Sequence, residues 1–120
     1  MILSNNNGDH DVSSCSEIET LFRKDGGDLL DDIWLSGDDE YPSLAILING
    51  NYACVHYFKN NQGDMWQSVG NAPHEVTFMS NGEPSPMPAN AVIALEDAIE
   101  CAKQFFKEQK RPDCIEWREL

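Results

Sequence analysis

Basic residues are scarce in this chain. Eight Lys and Arg stand against 21 Asp and Glu, a formal net charge of −13 over 120 residues. A field of that sign repels nucleic acid and anionic membranes and speeds encounter with basic partners. The plainer alternative is an acidic protein whose charge only keeps it soluble and monomeric. Long apolar runs are missing too, and none approaches the roughly 20 residues a spanning helix needs. Met1-Ile2-Leu3 leads directly into Ser4-Asn5-Asn6-Asn7 with no basic segment, so a signal peptide is not expected. These absences imply a cytoplasmic protein. The four cysteines, Cys15, Cys54, Cys101 and Cys114, never form C-x-x-C, which argues against a zinc ribbon or a thioredoxin-type site. Two disulfides are formally possible, but reduced and mostly buried thiols are expected without an export signal.

Catalytic constellations are equally hard to find. Nucleophilic catalysis needs Ser or Cys beside a His base, and the histidines are His10, His56 and His74. Cys54 and His56 share a strand face, yet i, i+2 neighbours stand about 7 Å apart at Cα. A half-buried, hydrogen-bonded His56 is the expectation. His74-Glu75 lacks H-x-E spacing and Pro112-Asp113-Cys114 lacks a second cysteine, so the zinc-deaminase signature is missing. Asp38-Asp39-Glu40 and Asp28, Asp31, Asp32 lack EF-hand spacing and are expected in solvated turns. There is no G-x-x-x-x-G-K-[ST] loop. The expectation is no enzyme, no metal and no cofactor.

What is present is a patterned chain. Residues 1–40 carry 11 acids and two bases, and 41–120 carry 10 acids and six bases. Residues 1–12 are rich in Asn, Asp and Gly and are expected to be a flexible segment ahead of a single domain, 13–120. Ser14 and Ser16 offer N-caps, each with a glutamate three residues on. Ile18, Leu21 and Phe22 then mark a short amphipathic helix over Glu17–Lys24, stopped at Gly26-Gly27. A strand is expected over Leu29–Leu35. Leu44–Phe58 reads as a hairpin turning at Asn49-Gly50, with Leu44–Ile48 a central strand. Met65–Val69, Glu75–Met79 and Ala91–Ile93 read as further strands, with a tight turn at Asn81-Gly82. Pro84, Pro86 and Pro88 exclude helix and any central strand.

Leu95, Ala98, Ile99, Ala102, Phe105 and Phe106 form one stripe at 3.6-residue spacing, a long helix from about Glu96 to Lys110 ended by Pro112. Its acids lie early and its bases late, complementing the helix dipole. Cys114–Arg118 then reads as a returning strand, which makes Trp117 a packing anchor. The expected fold is α+β: an antiparallel sheet of five to six strands, with the short N-terminal helix and the long C-terminal helix packed on one face and the final strand at the C-terminus.

Several stretches resemble the first-numbered family of immunity proteins of bacterial polymorphic toxin systems. They are Ala102–Phe106 (AKQFF), Lys110-Arg111-Pro112, Trp117–Leu120 (W-x-E-L), the Tyr52–Phe58 hairpin strand and Ser68-Val69-Gly70-Asn71. The order and spacing of these motifs carry the resemblance over roughly residues 16–120. It implies a small α+β domain that binds the C-terminal toxic domain encoded beside it, in several cases a nucleic-acid deaminase. It also marks Trp117 and Glu119 as family positions, with structural roles expected. One departure is Ala94, where relatives tend to carry a Ser or Thr cap.

On this reading the partner is a basic toxin domain, engaged without direct contact to nucleic acid or membrane by a chain that is monomeric when free. Occlusion of the toxin's active site would be the mechanism. Candidate contacts are the acidic turn Asp38, Asp39, Glu40 with Tyr41, and Asp64 with Trp66, because acid beside an aromatic is a usable hot-spot composition. A solvated turn and an ordinary packed aromatic explain the same residues. Two other functions compete: an acidic nucleic-acid mimic or adaptor for a basic housekeeping protein, and a small enzyme using Cys54, His56 or His74.

Overall fold

A computed structural model describes residues 1–23 and 30–120. In chain order the elements are β1 (Ile2–Asn5), β2 (Gly8–Asp11), α1 (Cys15–Phe22), β3 (Leu30–Ser36), β4 (Ser43–Asn49) and β5 (Tyr52–Phe58). They continue with β6 (Met65–Val69), β7 (Val76–Ser80), β8 (Glu83–Met87), β9 (Ile93–Ala94), α2 (Leu95–Glu108) and β10 (Glu116–Glu119). The fold is α+β, and its main sheet runs β10-β6-β5-β4-β3-β1-β2, antiparallel throughout, with β9 added beside β5. β7 and β8 form a separate two-stranded sheet.

The eight-stranded sheet is larger than the expected five to six strands. Two of the additional strands come from residues 2–11, the segment expected to be flexible. They fold as a hairpin, and Ile2–Ser4 pair with Trp34–Ser36 of β3. Leu3 is buried in the core, which explains why a polar segment joins the sheet: one large apolar residue is removed from water. Asp31 and Asp32 also depart from the expected solvated turn, since both lie within β3. Buried Asp31 accepts hydrogen bonds from the Asn6 and Asp32 N–H groups, and Asp32 accepts from the Asn81 N–H. These carboxylates tie the β1–β2 and β7–β8 turns to the sheet. The expected Gly26-Gly27 helix stop, and Asp28, lie outside the described residues.

Turn chemistry sets the registers. Asn49 pairs with Tyr52, so the central hairpin turns on Gly50-Asn51, not on Asn49-Gly50. Gly50 has φ +61° and Asn51 is not left-handed, as a type II′ turn asks of its two central residues. Asn81 and Gly82 both have positive φ, the type I′ pattern. Counting from Ser80↔Glu83, the pair that closes this turn, Pro84 and Pro86 fall at non-hydrogen-bonded sites where no ladder N–H is required.

α1 starts at Ser14, whose hydroxyl accepts from the Glu17 N–H, while the Glu17 carboxylate accepts from the Ser13 hydroxyl. α2 starts at Ala94 with no side-chain cap and ends at Glu108, where Gln109 turns left-handed (φ 51°) before Pro112 is reached. Two ion pairs join the helices, Lys103 to Glu19 and Arg23 to Glu96 (2.5 Å).

Strand alternation separates two apolar clusters. Ile18 and Phe22 of α1 and Ala98, Ile99, Ala102 and Phe105 of α2 share one with Leu3, Ile33, Leu35, Leu44, Ile46, Val55 and Tyr57 from a single sheet face. Leu47 and Cys54, on the opposite face, share the other with Val76, Phe78 and Val92. Ser43–Ile48 is buried at every position, as expected of a central strand.

Candidate partner-binding surface

The β3–β4 turn and the β5–β6 loop lie at the same end of the sheet, because Ser36 pairs with Ser43, Ser43 with Phe58 and Phe58 with Met65. Asp38, Asp39 and Glu40 are exposed there and Tyr41 is half-buried. Asp64 is exposed at that end too, and it shapes its own loop. Its carboxylate accepts from Asn60 Nδ2 (2.9 Å) and its carbonyl from the Lys59 N–H (3.0 Å).

Trp66, Trp117 and Glu119 gather elsewhere, on the helix-bearing face at the β6–β10 edge. Glu119 stands opposite Trp66 in the register and is exposed. The Trp66 ring lies 5.7 Å from Tyr57, with the Arg111 guanidinium 5.0 Å over it. Trp117 Nε1 donates to the Pro112 carbonyl (2.6 Å) and its ring meets the edge of Tyr57 at 6.4 Å. The predicted residues therefore divide into an acidic end and an aromatic edge.

The outer sheet face, opposite the helices, holds residues that the sequence reasoning did not select. One row crosses it: Asp9, Ser4, Trp34, Ala45, His56, Gln67 and Arg118 are successive partners across seven strands. Trp34 is 42% exposed and its ring stacks on Phe58 at 5.4 Å and 17°. Their strands flank β4 and so lie about 9.6 Å apart. The two rings must therefore lean over β4, where the small residues Ser43 and Ala45 leave room. The signal was present: Trp34 falls between inward Ile33 and Leu35, so it must face the other way.

His56 sits beside this stack, its ring 6.3 Å from Phe58. Arg118 donates to Gln67 Oε1 (2.8 Å), which leaves the Gln67 amide N–H to face His56 Nε2 (3.1 Å). That nitrogen must accept, so the ring is neutral. Burial likewise holds the His56 pKa below the usual imidazole range. Cys54, two residues away, instead lies under β7, its Sγ 3.8 Å from the Ser68 hydroxyl oxygen. Burial pushes its thiol up to about 11, the hydroxyl countering only part of that. His74 donates from Nδ1 to the Glu75 carbonyl. Among the described residues no group of three His, Cys, Asp or Glu could hold a metal ion.

Comparison with known proteins identifies the family. The family "Immunity protein Imm1" matches residues 7–119. This chain belongs to the Imm1 family. It is also 30% identical over 109 residues to the double-stranded DNA deaminase immunity protein of Burkholderia cenocepacia (strain H111), covering 88% of this chain and 87% of that one. Membership makes it a toxin-neutralising immunity protein. No helix among the described residues is long and apolar enough to cross a membrane.

Within this Imm1 chain, the Ser68-Val69-Gly70-Asn71 stretch has a physical purpose. β6 pairs with β5 over His56–Phe58, and β9 pairs with the start of β5 at Tyr52 and Ala53. Ser68 fills the gap between them, accepting from the Val55 N–H and donating to the Ala91 carbonyl. A Cβ on Gly70 would stand 1.8 Å from the Val92 carbonyl oxygen, so only glycine fits.

Proposed function

We propose that this immunity protein binds a nucleic-acid-deaminating toxin domain one to one and covers its active site. Kinship with an immunity protein against a double-stranded DNA deaminase carries the reading. The charge distribution supports it. A deaminase that acts on nucleic acid needs a cationic surface to hold phosphates. A chain of net charge −13 is complementary to that surface and is captured quickly by it. Asp38, Asp39, Glu40, Tyr41, Asp64 and Trp66 remain our candidate contacts, with Trp117 and Glu119 supporting the edge that carries Trp66. The free chain is a monomer that acts in the cytoplasm.

The test is a calorimetric titration against the catalytically inactivated toxin domain encoded beside this chain, at two salt concentrations, with a deaminase assay in parallel. Tight one-to-one binding that weakens with salt, and activity abolished at one equivalent, are expected. Binding without inhibition would overturn occlusion. Equal binding to unrelated basic proteins would favour the adaptor reading.

A further inference from the structure

We propose that the toxin domain docks on the outer sheet face, over the half that the β7–β8 hairpin leaves open, with the Trp34–Phe58 stack at the centre of the contact. This rests on the function proposed above and names its surface. The hairpin covers Leu47 and Cys54, its Met87 reaches Gln67, and its Asn81 N–H meets Asp32. Toward the other end of the strands, Ser43 and Ala45 lie beneath the two stacked rings. Trp34 keeps 42% of its surface in water, although it is large, apolar and held in place by its neighbour. A rigid, partly exposed tryptophan on a sheet is a preorganised anchor: little side-chain entropy remains to be lost on binding.

Charge names the occupant. Alternation from the register places Asp9, Asp11 and Asp32 on this face, Asp32 held by the Asn81 N–H of the β7–β8 turn, and Asp38, Asp39 and Glu40 hang from its end. Among the described residues, Arg23, Lys103, Lys107, Lys110 and Arg111 belong to the helices or the segment just after α2, on the other side of the sheet, while Lys59 is the cation at the acidic end, where it starts the β5–β6 loop. Arg118 is the outward cation of the central row, and its guanidinium is engaged by Gln67. An apolar centre ringed by carboxylates fits the rim of a cationic, phosphate-binding cleft. The β6–β10 edge, which carries our candidate Trp66, is the weaker part of that contact set, because Pro112 takes the Trp117 N–H and Arg111 already lies over Trp66.

The experiment titrates the inactivated neighbouring toxin domain with the full chain and with three variants, and records each variant's melting temperature. Trp34→Ala is expected to raise Kd about 30-fold, as a hot-spot truncation does. The Asp38→Lys/Asp39→Lys double variant, in an exposed turn where misfolding is not expected, should raise Kd at least as much at low salt and less at high salt. Lys107→Gln on the helix side should leave Kd unchanged. If the parent chain binds while Trp34→Ala and the double variant stay within about threefold of it, the surface is misassigned and the function stands. If the parent chain does not bind at all, both readings fall.

Discussion

The two faces of the sheet solve different problems with the same strands. On the helix side, Ile33, Leu35, Leu44, Ile46 and Val55 meet α1 and α2 and are excluded from water. On the outer side the same strands carry Trp34, Ala45, His56 and Phe58, and the β7–β8 hairpin covers only part of the area. The stacked Trp34 indole keeps 42% of its surface in water. The inner face holds the fold together, and the outer face holds a shape ready for a partner.

The sharpest break in that comparison is a matched pair of truncations. Phe105→Ala removes a fully buried ring from the inner cluster and should cost about 3–5 kcal/mol of stability by chemical denaturation. Trp34→Ala removes a larger ring from the outer face and should cost about 1 kcal/mol, the scale of an aromatic pair. Equal losses would mean that the outer stack is core after all. Gly70→Ala comes next, at about 3 kcal/mol, because the added methyl meets the Val92 backbone oxygen. A melting temperature within a degree of the parent's would show that β6 and β9 can separate there freely.

The smallest effect is a pH dependence from the outer face. His56 is held neutral by burial, with its folded pKa below the unfolded value of about 6.5. At pH below 6.5 the unfolded chain binds a proton that the folded chain refuses, so His56 favours folding above that pH and opposes it increasingly below. The parent chain should therefore lose more stability than His56→Asn between pH 7.5 and pH 5.5. Other groups contribute to the absolute curves, so the difference between them is the readout. Parallel curves would remove the neutral-acceptor assignment.

Local signals in the sequence were reliable where backbone chemistry is local. Asn81-Gly82 forms its tight turn, Met65–Val69 is a strand with the expected limits, and Leu44–Ile48 is central. The central hairpin slipped by one residue because a lone glycine serves either turn type, and the register decides between them. The strands over residues 2–11 were hidden because their partner, β3, lies about 30 residues away and Leu3 is the only fully buried residue in the pair. Asp31 and Asp32 misled for the same reason, since their partners are amides in distant turns. Cys101 and Cys114, with sulfurs 3.4 Å apart, are likewise neighbours only in space. Trp34's outward direction was legible from alternation, but its exposure was not, because that depends on where the β7–β8 hairpin stops.

Hydrogen–deuterium exchange of this chain, free and bound to the inactivated toxin domain, tests the central claim most directly. The account predicts new protection in residues 37–42 and 59–64, which border the outer face, and none at the ends of α1 and α2. Protection confined to the helices or to the Arg111–Leu120 edge would contradict it.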